Sequence, residues 1–321
     1  MVYETFLTTL TRKLQEQLGE DYQLTLHALQ KNNGITMDGL SILAPGEAAA
    51  PTVYLNPYYQ QYQHGGMKLD EIVADILTMI RSTPVPSCPT AEEMQHFDLL
   101  QSKIMFRLIH AASNQALLVD VPHIVCLDLA IVFYLFLGRS ESGQMTAMIH
   151  NEHQRHWGVS EQELWKLALQ NTQKEFPAEI HDMSDMMKEI AKKNLGDLYD
   201  EAFLDELLTE DEAIIPLYVL TNQIGVNGAC CMLYPDTLKN FADFLNQDLV
   251  VLPSSLHEVL ITPDTTETSY EELSSLVTSI NQQDVPMEDQ LSNQVYLYTR
   301  SDHQLHLVTK AARTVGAASL N

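Results

Sequence analysis

The apolar and polar positions in the N-terminal part of the chain predict two helices separated by a β-hairpin. Residues 2–18 and 69–80 place apolar side chains at helical spacing. Between them, LTLHALQ and ITMDGLSI alternate apolar and polar residues on the two sides of Asn33-Gly34, which is a strong hairpin signal. A short strand at 51–55 completes a ββ(β)α unit, which we predict to form a domain over residues 1–83.

The central part, residues 91–212, is predicted to contain a helix, a hairpin and further helices. The helix covers 91–112, and the apolar run IVCLDLAIVFYLFL then indicates one buried strand with a partner strand after it. Ser160 and Glu163 have the spacing of a capping box and start another helix. Residues 179–212 carry apolar side chains at helical spacing among many acids, which predicts acidic amphipathic helices. These are expected to pack on their own domain, with a methionine-rich surface for a partner as the alternative.

The C-terminal part, residues 213–321, is predicted as a ββαβ-α-ββ unit. The segments LYVLT and GACCML flank a turn rich in Asn and Gly, which indicates a hairpin, and a helix over 237–245 follows. A strand then leads into LPSSLHEVLI, and a helix over 269–280 precedes a final hairpin. The three parts together predict an α+β fold of repeated β-hairpin-then-helix units, with mainly antiparallel sheets covered by helices.

The charge balance narrows the range of partners. Among 321 residues, 43 acidic side chains stand against 18 basic ones, a formal net charge of −25. Such a field repels phosphate backbones and anionic lipid headgroups, so we expect neither nucleic-acid nor membrane binding. The charge is explained by solubility alone, by a basic protein partner, or by mimicry of DNA.

The N-terminus and the cysteines indicate a reduced, cytoplasmic setting. No basic segment followed by an apolar one precedes the first helix, so a secretion signal is not expected. The longest apolar run is shorter than the ~20 residues that span a bilayer. Cys88, Cys126, Cys230 and Cys231 have no CxxC spacing, which suits neither a disulfide framework nor a zinc site, and we predict reduced thiols and no cofactor.

The segment LPSSLHEVLI is the most function-like part of the sequence. Ser254, Ser255, His257 and Glu258 place nucleophile-capable and acid/base groups between apolar flanks. A zinc helix of the HExxH type is not expected, because Ile261 stands where the second histidine is needed. A catalytic triad needs a distant carboxylate and an oxyanion hole, and no GxSxG segment is present. The structural alternative is a serine-capped turn with one satisfied histidine.

Other candidate chemistry is weaker. Asn222 and Asn227, in the turn before GACCML, are candidate binding residues. His150, His153 and His156 are predicted to lie in a solvated loop rather than to converge on a metal, and no metal site is expected. The chain has no P-loop and no GxGxxG segment, which leaves nucleotide binding unsupported.

Several segments taken together resemble a known bacterial family. They are KNNGITMDGLSI, PTVYLNPYYQQY, VPHIVCLDLAIVF, HWGVSEQELWKLALQNT, YVLTNQIGVNGACCML and LPSSLHEVLI. Their order over residues 20–310 resembles the uncharacterised bacterial family called domain of unknown function 5688. The segment from DLAIVF to ELWKLALQNT is also similar to part of another bacterial family of unknown function. The resemblance implies a bacterial cytosolic origin and no particular activity or functional residue.

Three functions are compatible with these observations. The leading hypothesis is a cytosolic acidic binding or adaptor protein without catalytic activity. The alternative is a hydrolase-type enzyme that uses Ser254 or Ser255 with His257 and Glu258. A further alternative is an acidic inhibitor that mimics DNA, with carboxylates in rows like phosphates.

Overall fold

The computed structural model describes residues 1–46, 52–82, 89–90, 92–140, 143–195, 216–266 and 268–308. The fold is α+β with antiparallel sheets, as the sequence predicts. The chain divides into two compact units: unit 1 comprises residues 1–103 and 134–158, and unit 2 comprises 104–133 and 159–321. The domain boundaries predicted at 83 and 212 lie outside the described residues and stay a prediction.

The secondary structure follows in chain order. The helices are α1 Tyr3–Leu18, α2 Leu55–Gln63, α3 Leu69–Ser82, α4 Phe97–Leu100, α5 Gln115–Leu118, α6 Asn151–Trp157, α7 Glu161–Glu175, α8 Met183–Leu195, α9 Thr237–Leu245 and α10 Tyr270–Gln283. The strands are β1 Gln23–Gln30, β2 Thr36–Leu43, β3 Thr52–Tyr54, β4 Ile104–His110, β5 His123–Cys126, β6 Leu129–Ser140, β7 Gly143–Met148, β8 Ala178–Asp182, β9 Tyr218–Asn222, β10 Leu249–Leu252, β11 Val259–Pro263, β12 Val295–Thr299 and β13 Gln304–Val308.

Unit 1 contains a three-stranded antiparallel sheet in the order β1-β2-β3. The predicted hairpin is confirmed, because β1 pairs with β2 over its whole length around the Asn33 turn, where φ is +58°. Its core combines apolar residues of α1 and α3 with those of β2, including Phe6, Leu10, Leu40 and Ile72. The helical spacing of these apolar residues in α1 and α3 therefore marks the faces that bury them.

Unit 2 contains a six-stranded antiparallel sheet in the order β13-β12-β10-β11-β9-β8. All four residues of β10 are buried, and Val277 of α10 packs beside Val250 and Leu297. A second sheet pairs β5 with residues 129–132 of β6, and β4 lies along the other side of β6. The predicted strand before LPSSLHEVLI thus lies at the centre of the larger sheet.

Two segments differ from their predicted secondary structure. In both, a continuous apolar run shows neither the helical nor the strand spacing of apolar residues. The single helix predicted over 91–112 is wrong, since residues 93–103 form three short helical segments and residues 104–110 form β4. Five of these seven side chains are buried, so helical and strand spacing cannot be told apart there. The run predicted as one strand is a hairpin, in which Leu127 and Asp128 form the turn between β5 and β6.

Two other predictions also need correction. GACCML forms a 3₁₀ helix over Gly228–Leu233 rather than a strand, with five of its six residues buried. The predicted acidic helices begin later than expected, because residues 178–182 form β8 before α8 starts. Met187 and Ile190 of α8 are exposed, which differs from the expected packing on its own domain. Residues 196–212 lie outside the described residues.

The described residues contain no helix with both the length and the apolar character needed to cross a membrane. Within the same residues, Cys126, Cys230 and Cys231 are buried free thiols, whereas Cys88 lies outside them.

Candidate functional site

The segment LPSSLHEVLI links β10 to β11 and is held by backbone hydrogen bonds in unit 2. The Leu256 N–H donates to the Asp289 carbonyl oxygen over 2.8 Å, and the Leu291 N–H donates to the Ser254 carbonyl oxygen over 2.9 Å. The Ser292 N–H similarly bonds the carbonyl oxygen of Pro253 over 2.8 Å. The loop is therefore fixed to residues 289–292 as a short extra strand pair.

The two serines have structural surroundings. Ser255 is buried, and its hydroxyl oxygen accepts the His257 backbone N–H over 3.0 Å, which is a serine turn. Ser254 is also buried, and its hydroxyl makes no hydrogen bond within the part of the chain that the structure describes. Neither serine hydroxyl bonds the His257 ring among these residues.

Both ring nitrogens of His257 have partners. The Asn227 backbone N–H donates to Nδ1 over 3.3 Å, and Nε2 lies 3.3 Å from Asp289 Oδ1. Because Nδ1 accepts, a neutral ring carries its proton on Nε2, which lies within ion-pair distance of Asp289. The His257 carbonyl oxygen accepts the Thr221 hydroxyl over 2.7 Å. The ring is thus oriented by Asn227 and Asp289, with about a third of the side chain exposed.

The two candidate asparagines shape the neighbouring turn. Asn222 is buried; its Nδ2 donates to the Val226 carbonyl oxygen over 2.9 Å, and its Oδ1 accepts the Ile224 N–H over 3.1 Å. Asn227 adopts the left-handed region at φ +54°, which Asn tolerates better than most residues. Their side chains and backbone therefore support the turn that faces His257.

Gly228 allows this turn to approach the loop. A Cβ at this position would lie 2.2 Å from Thr221 Oγ1 and 2.3 Å from the His257 carbonyl oxygen. Any side chain would therefore clash with these atoms, and only glycine fits. Of the predicted site residues, the structure thus brings together Ser255, His257 and Asn227. Glu258 is half-buried and forms no ion pair with any described residue.

A second polar cluster, centred on Asp128 in unit 2, was not predicted. Its Oδ1 accepts the Tyr296 hydroxyl over 2.5 Å, and its Oδ2 accepts the Ser292 hydroxyl over 2.6 Å. His110 Nε2 lies 3.8 Å from Oδ2. Leu127, which precedes Asp128 in the turn, has φ +58°, an uncommon conformation for a bulky residue. The signal available in the sequence was an acid interrupting an apolar run, which marks a turn.

Burial dominates the titration behaviour of the groups around Asp128. The pKa of Tyr296 lies well above its ordinary value because the hydroxyl is fully buried and then because Asp128 lies beside it. Burial, followed by the charge of Asp128, raises the pKa of the Cys126 thiol to about 11. Both groups are therefore neutral near pH 7, and the Tyr296 hydroxyl acts as a hydrogen-bond donor.

The histidines predicted to lie in a loop are part of a helix instead. His150 precedes α6, and its backbone N–H donates to His153 Nδ1 over 3.0 Å. The His153 ring stacks on Trp157 with centroids 5.7 Å apart. Across the described ranges, no group of three His, Cys, Asp or Glu side chains is arranged to hold a metal ion.

Comparison with known proteins gives a family but no activity. A family model described as a family of unknown function, DUF5688, matches residues 3–300. The chain belongs to this family. No curated protein and no solved structure matches it. The function of this DUF5688 member therefore has to be argued from its own surface and contacts.

Several carboxylates of this DUF5688 member lie around Tyr298 in unit 2. Burial raises the pKa of Tyr298 to about 12, and nearby carboxylates add to the effect. In order of influence they are Asp243, Asp236, Asp302 and Asp248. We call these four residues, together with Phe244, which follows Asp243 in α9, the aspartate surface; Tyr298 itself is buried beneath it.

Two cations and one exposed aromatic ring complete the aspartate surface. Lys239 Nζ donates to Asp243 over 3.1 Å, and Arg300 donates to Asn246 Oδ1 over 2.9 Å and lies 3.4 Å from Asp243. Phe244 has 79% of its surface exposed, and its ring stacks against Phe241 with ring centroids 6.3 Å apart. Four carboxylates against two cations leave the surface negative, with an apolar ring available for contact.

Proposed function

We propose that this DUF5688 member is a non-catalytic binding protein of the bacterial cytosol that engages a basic protein partner through the aspartate surface. The observation that carries the proposal is the exposed Phe244 ring, which follows Asp243 in α9, together with the four aspartates that act on Tyr298. Protein interfaces place aromatic anchors amid complementary charge, and the charges raise the association rate and select the partner.

The net charge of −25 supports this assignment over association with an acidic macromolecule. A basic segment would pair its Lys or Arg side chains with the Asp236 carboxylate, which no described residue engages, whereas the Asp302 carboxylate is already bonded by Thr299 and His306. Its apolar part would cover Phe244 and remove that ring from water. Because salt screens the attraction between exposed charges, binding of the basic partner should weaken as salt is added.

The contacts of His257 favour binding over hydrolysis. A serine nucleophile needs its hydroxyl within hydrogen-bond reach of the base, whereas His257 is engaged by Asn227 and Asp289. The His257–Asp289 pair is the one feature in favour of the hydrolase alternative. The DNA-mimic alternative requires carboxylates spaced in rows like phosphates across one face.

The test is a binding titration with a fluorescently labelled Lys/Arg-rich peptide, followed by anisotropy at several salt concentrations. Phe244→Ser and Asp236→Asn alter exposed side chains of the aspartate surface and should each weaken binding about fivefold or more. Val119→Ser and Glu20→Gln are the matched controls, because both side chains are exposed elsewhere. Each control should bind like the wild type.

The proposal fails if the peptide does not bind, or if the control variants lose as much affinity as the surface variants. It also fails if the purified protein turns over a compound in an unbiased metabolite screen and His257→Gln abolishes that turnover.

A further inference from the structure

Strand β1 is the outer strand of its sheet and is exposed along most of its length. The sheet order is β1-β2-β3, so among the described residues β1 has a strand partner on one side only. Six of its eight residues are exposed, and Leu24 and Leu29 are half-buried. A free edge of this length can pair with another strand.

The hydrogen-bond pattern shows which backbone groups of β1 point outward. Lys31 N–H donates to the Ile35 carbonyl oxygen over 2.6 Å, which directs the groups of Lys31 towards β2. The Asp38 N–H donates to Asn56 Oδ1 over 2.8 Å, away from Ala28, its partner in the β1–β2 register. Inward and outward groups alternate along an antiparallel strand. The outward N–H and C=O groups are therefore those of Leu24, Leu26, Ala28 and Gln30.

The sequence of β1 carries none of the features that usually protect an edge. QLTLHALQ contains no charged residue and no proline, although 19% of the chain is charged, and its register with β2 has no bulge. Leu26 lies opposite the buried Leu40 and so faces the core side of the sheet, yet 43% of its surface is exposed. Within the described ranges, the apolar face of the sheet thus continues to the outer edge without a cover.

We propose that β1 pairs antiparallel with β1 of a second copy of this chain and joins two three-stranded sheets into one of six strands. A twofold axis at Leu26 places this residue opposite its own copy and Leu24 opposite Ala28. Every residue in these pairs has outward backbone groups, so donors meet acceptors, and the exposed part of Leu26 is covered. The strand has no charge of either sign to select a charged partner, which favours an identical one.

The charge of the chain gives this pairing a salt dependence opposite to that of the proposed function. Two copies of net charge −25 repel each other, so added salt should strengthen dimerisation, whereas it should weaken binding of a basic peptide. Because one strand pair makes a small interface, we expect a reversible dimer. The dimer does not depend on the aspartate surface.

The first test is sedimentation velocity of the full chain over a range of concentration and salt. We expect a monomer–dimer equilibrium that shifts towards dimer at higher salt. Leu26→Lys places two like charges opposite each other at the axis and should weaken dimerisation at least about tenfold. Val125→Lys is the matched control, because it makes the same kind of change at an exposed strand residue of β5 and should leave the dimer unchanged.

The second test is amide hydrogen exchange measured residue by residue at low and high concentration. The amides of Leu26 and Ala28 should exchange fast in dilute protein and slowly in concentrated protein, whereas that of His27, bonded to β2, should be slow in both. A protein that stays monomeric at all concentrations with fast Leu26 exchange overturns the proposal. A monomer with slow Leu26 exchange also overturns it, because another segment of the chain would then cover the edge.

Discussion

Removal of the Asp128 carboxylate should destabilise unit 2 because two buried hydroxyls would lose their acceptor. Tyr296 is fully buried and Ser292 is 4% exposed, and both donate to Asp128. A buried donor left without a partner costs about 1–3 kcal/mol. Since 21% of the Asp128 side chain is exposed, water can reach part of the site. We expect Asp128→Ala to lower the free energy of unfolding by about 3 kcal/mol.

The partner substitution separates the hydrogen bond from the other effects of the mutation. Tyr296→Phe removes the donor and its need for an acceptor, so it should cost only about 1 kcal/mol. The double variant, Asp128→Ala with Tyr296→Phe, no longer contains the Tyr296 hydroxyl that Asp128→Ala leaves without an acceptor. Its loss of stability should therefore be smaller than the sum of the two single losses. Asp284→Ala, which removes an exposed carboxylate in the same unit, should stay within about 0.5 kcal/mol of the wild type.

Urea unfolding followed by tryptophan fluorescence measures these differences. Trp157 belongs to unit 1 and Trp165 to unit 2, so a Trp157→Phe background makes the signal report unit 2. The explanation is refuted if Asp128→Ala unfolds like Asp284→Ala, or if the Asp128 and Tyr296 effects simply add.

Three further predictions concern single positions. Gly228→Ala should destabilise the protein by at least about 2 kcal/mol in a thermal melt, because its Cβ would overlap Thr221 and the loop carbonyl; a change under about 0.5 kcal/mol would contradict this. Leu127→Gly should raise the melting temperature, because it relieves the left-handed backbone at φ +58°; a lower temperature would show that the leucine contacts matter more. Hydrogen bonds from Ser160, first its backbone N–H and then its hydroxyl, lower the pKa of Glu163 in the folded protein. The stabilisation from these bonds is therefore fully present above the pKa of Glu163 in the unfolded chain. It is lost as the pH falls through the lower pKa of the folded protein. In Ser160→Ala, an NMR titration should show that pKa rising, and an unchanged pKa would exclude the hydroxyl as a cause.

The elements that the sequence predicted well carry their own local signals. The Asn33-Gly34 turn, the Ser160 capping box and the helical spacing in α3 and α9 each depend on neighbouring residues, and all appear in the structure. Buried segments such as β4 and Gly228–Leu233 lack such signals, because burial on all sides removes the alternation between apolar and polar positions.

The place of LPSSLHEVLI between two strands was predictable from the sequence, but the contacts of its side chains were not. LPSSLHEVLI was identified because polar residues stand between apolar strands, and His257 does lie against Asn227. Its second partner, Asp289, is distant in sequence and nothing local marks it. The same is true of Asp128 with Tyr296, and of the aspartates that surround Tyr298, because pairing of the strands brings them together.

The most direct test of the proposed function is a two-dimensional NMR titration of the full chain with a Lys/Arg-rich peptide. Binding through the aspartate surface predicts shifts concentrated at Asp236, Phe244 and Tyr298 that diminish as salt is added. Shifts concentrated at Ser254 and His257, or no shifts at any salt concentration, would contradict it.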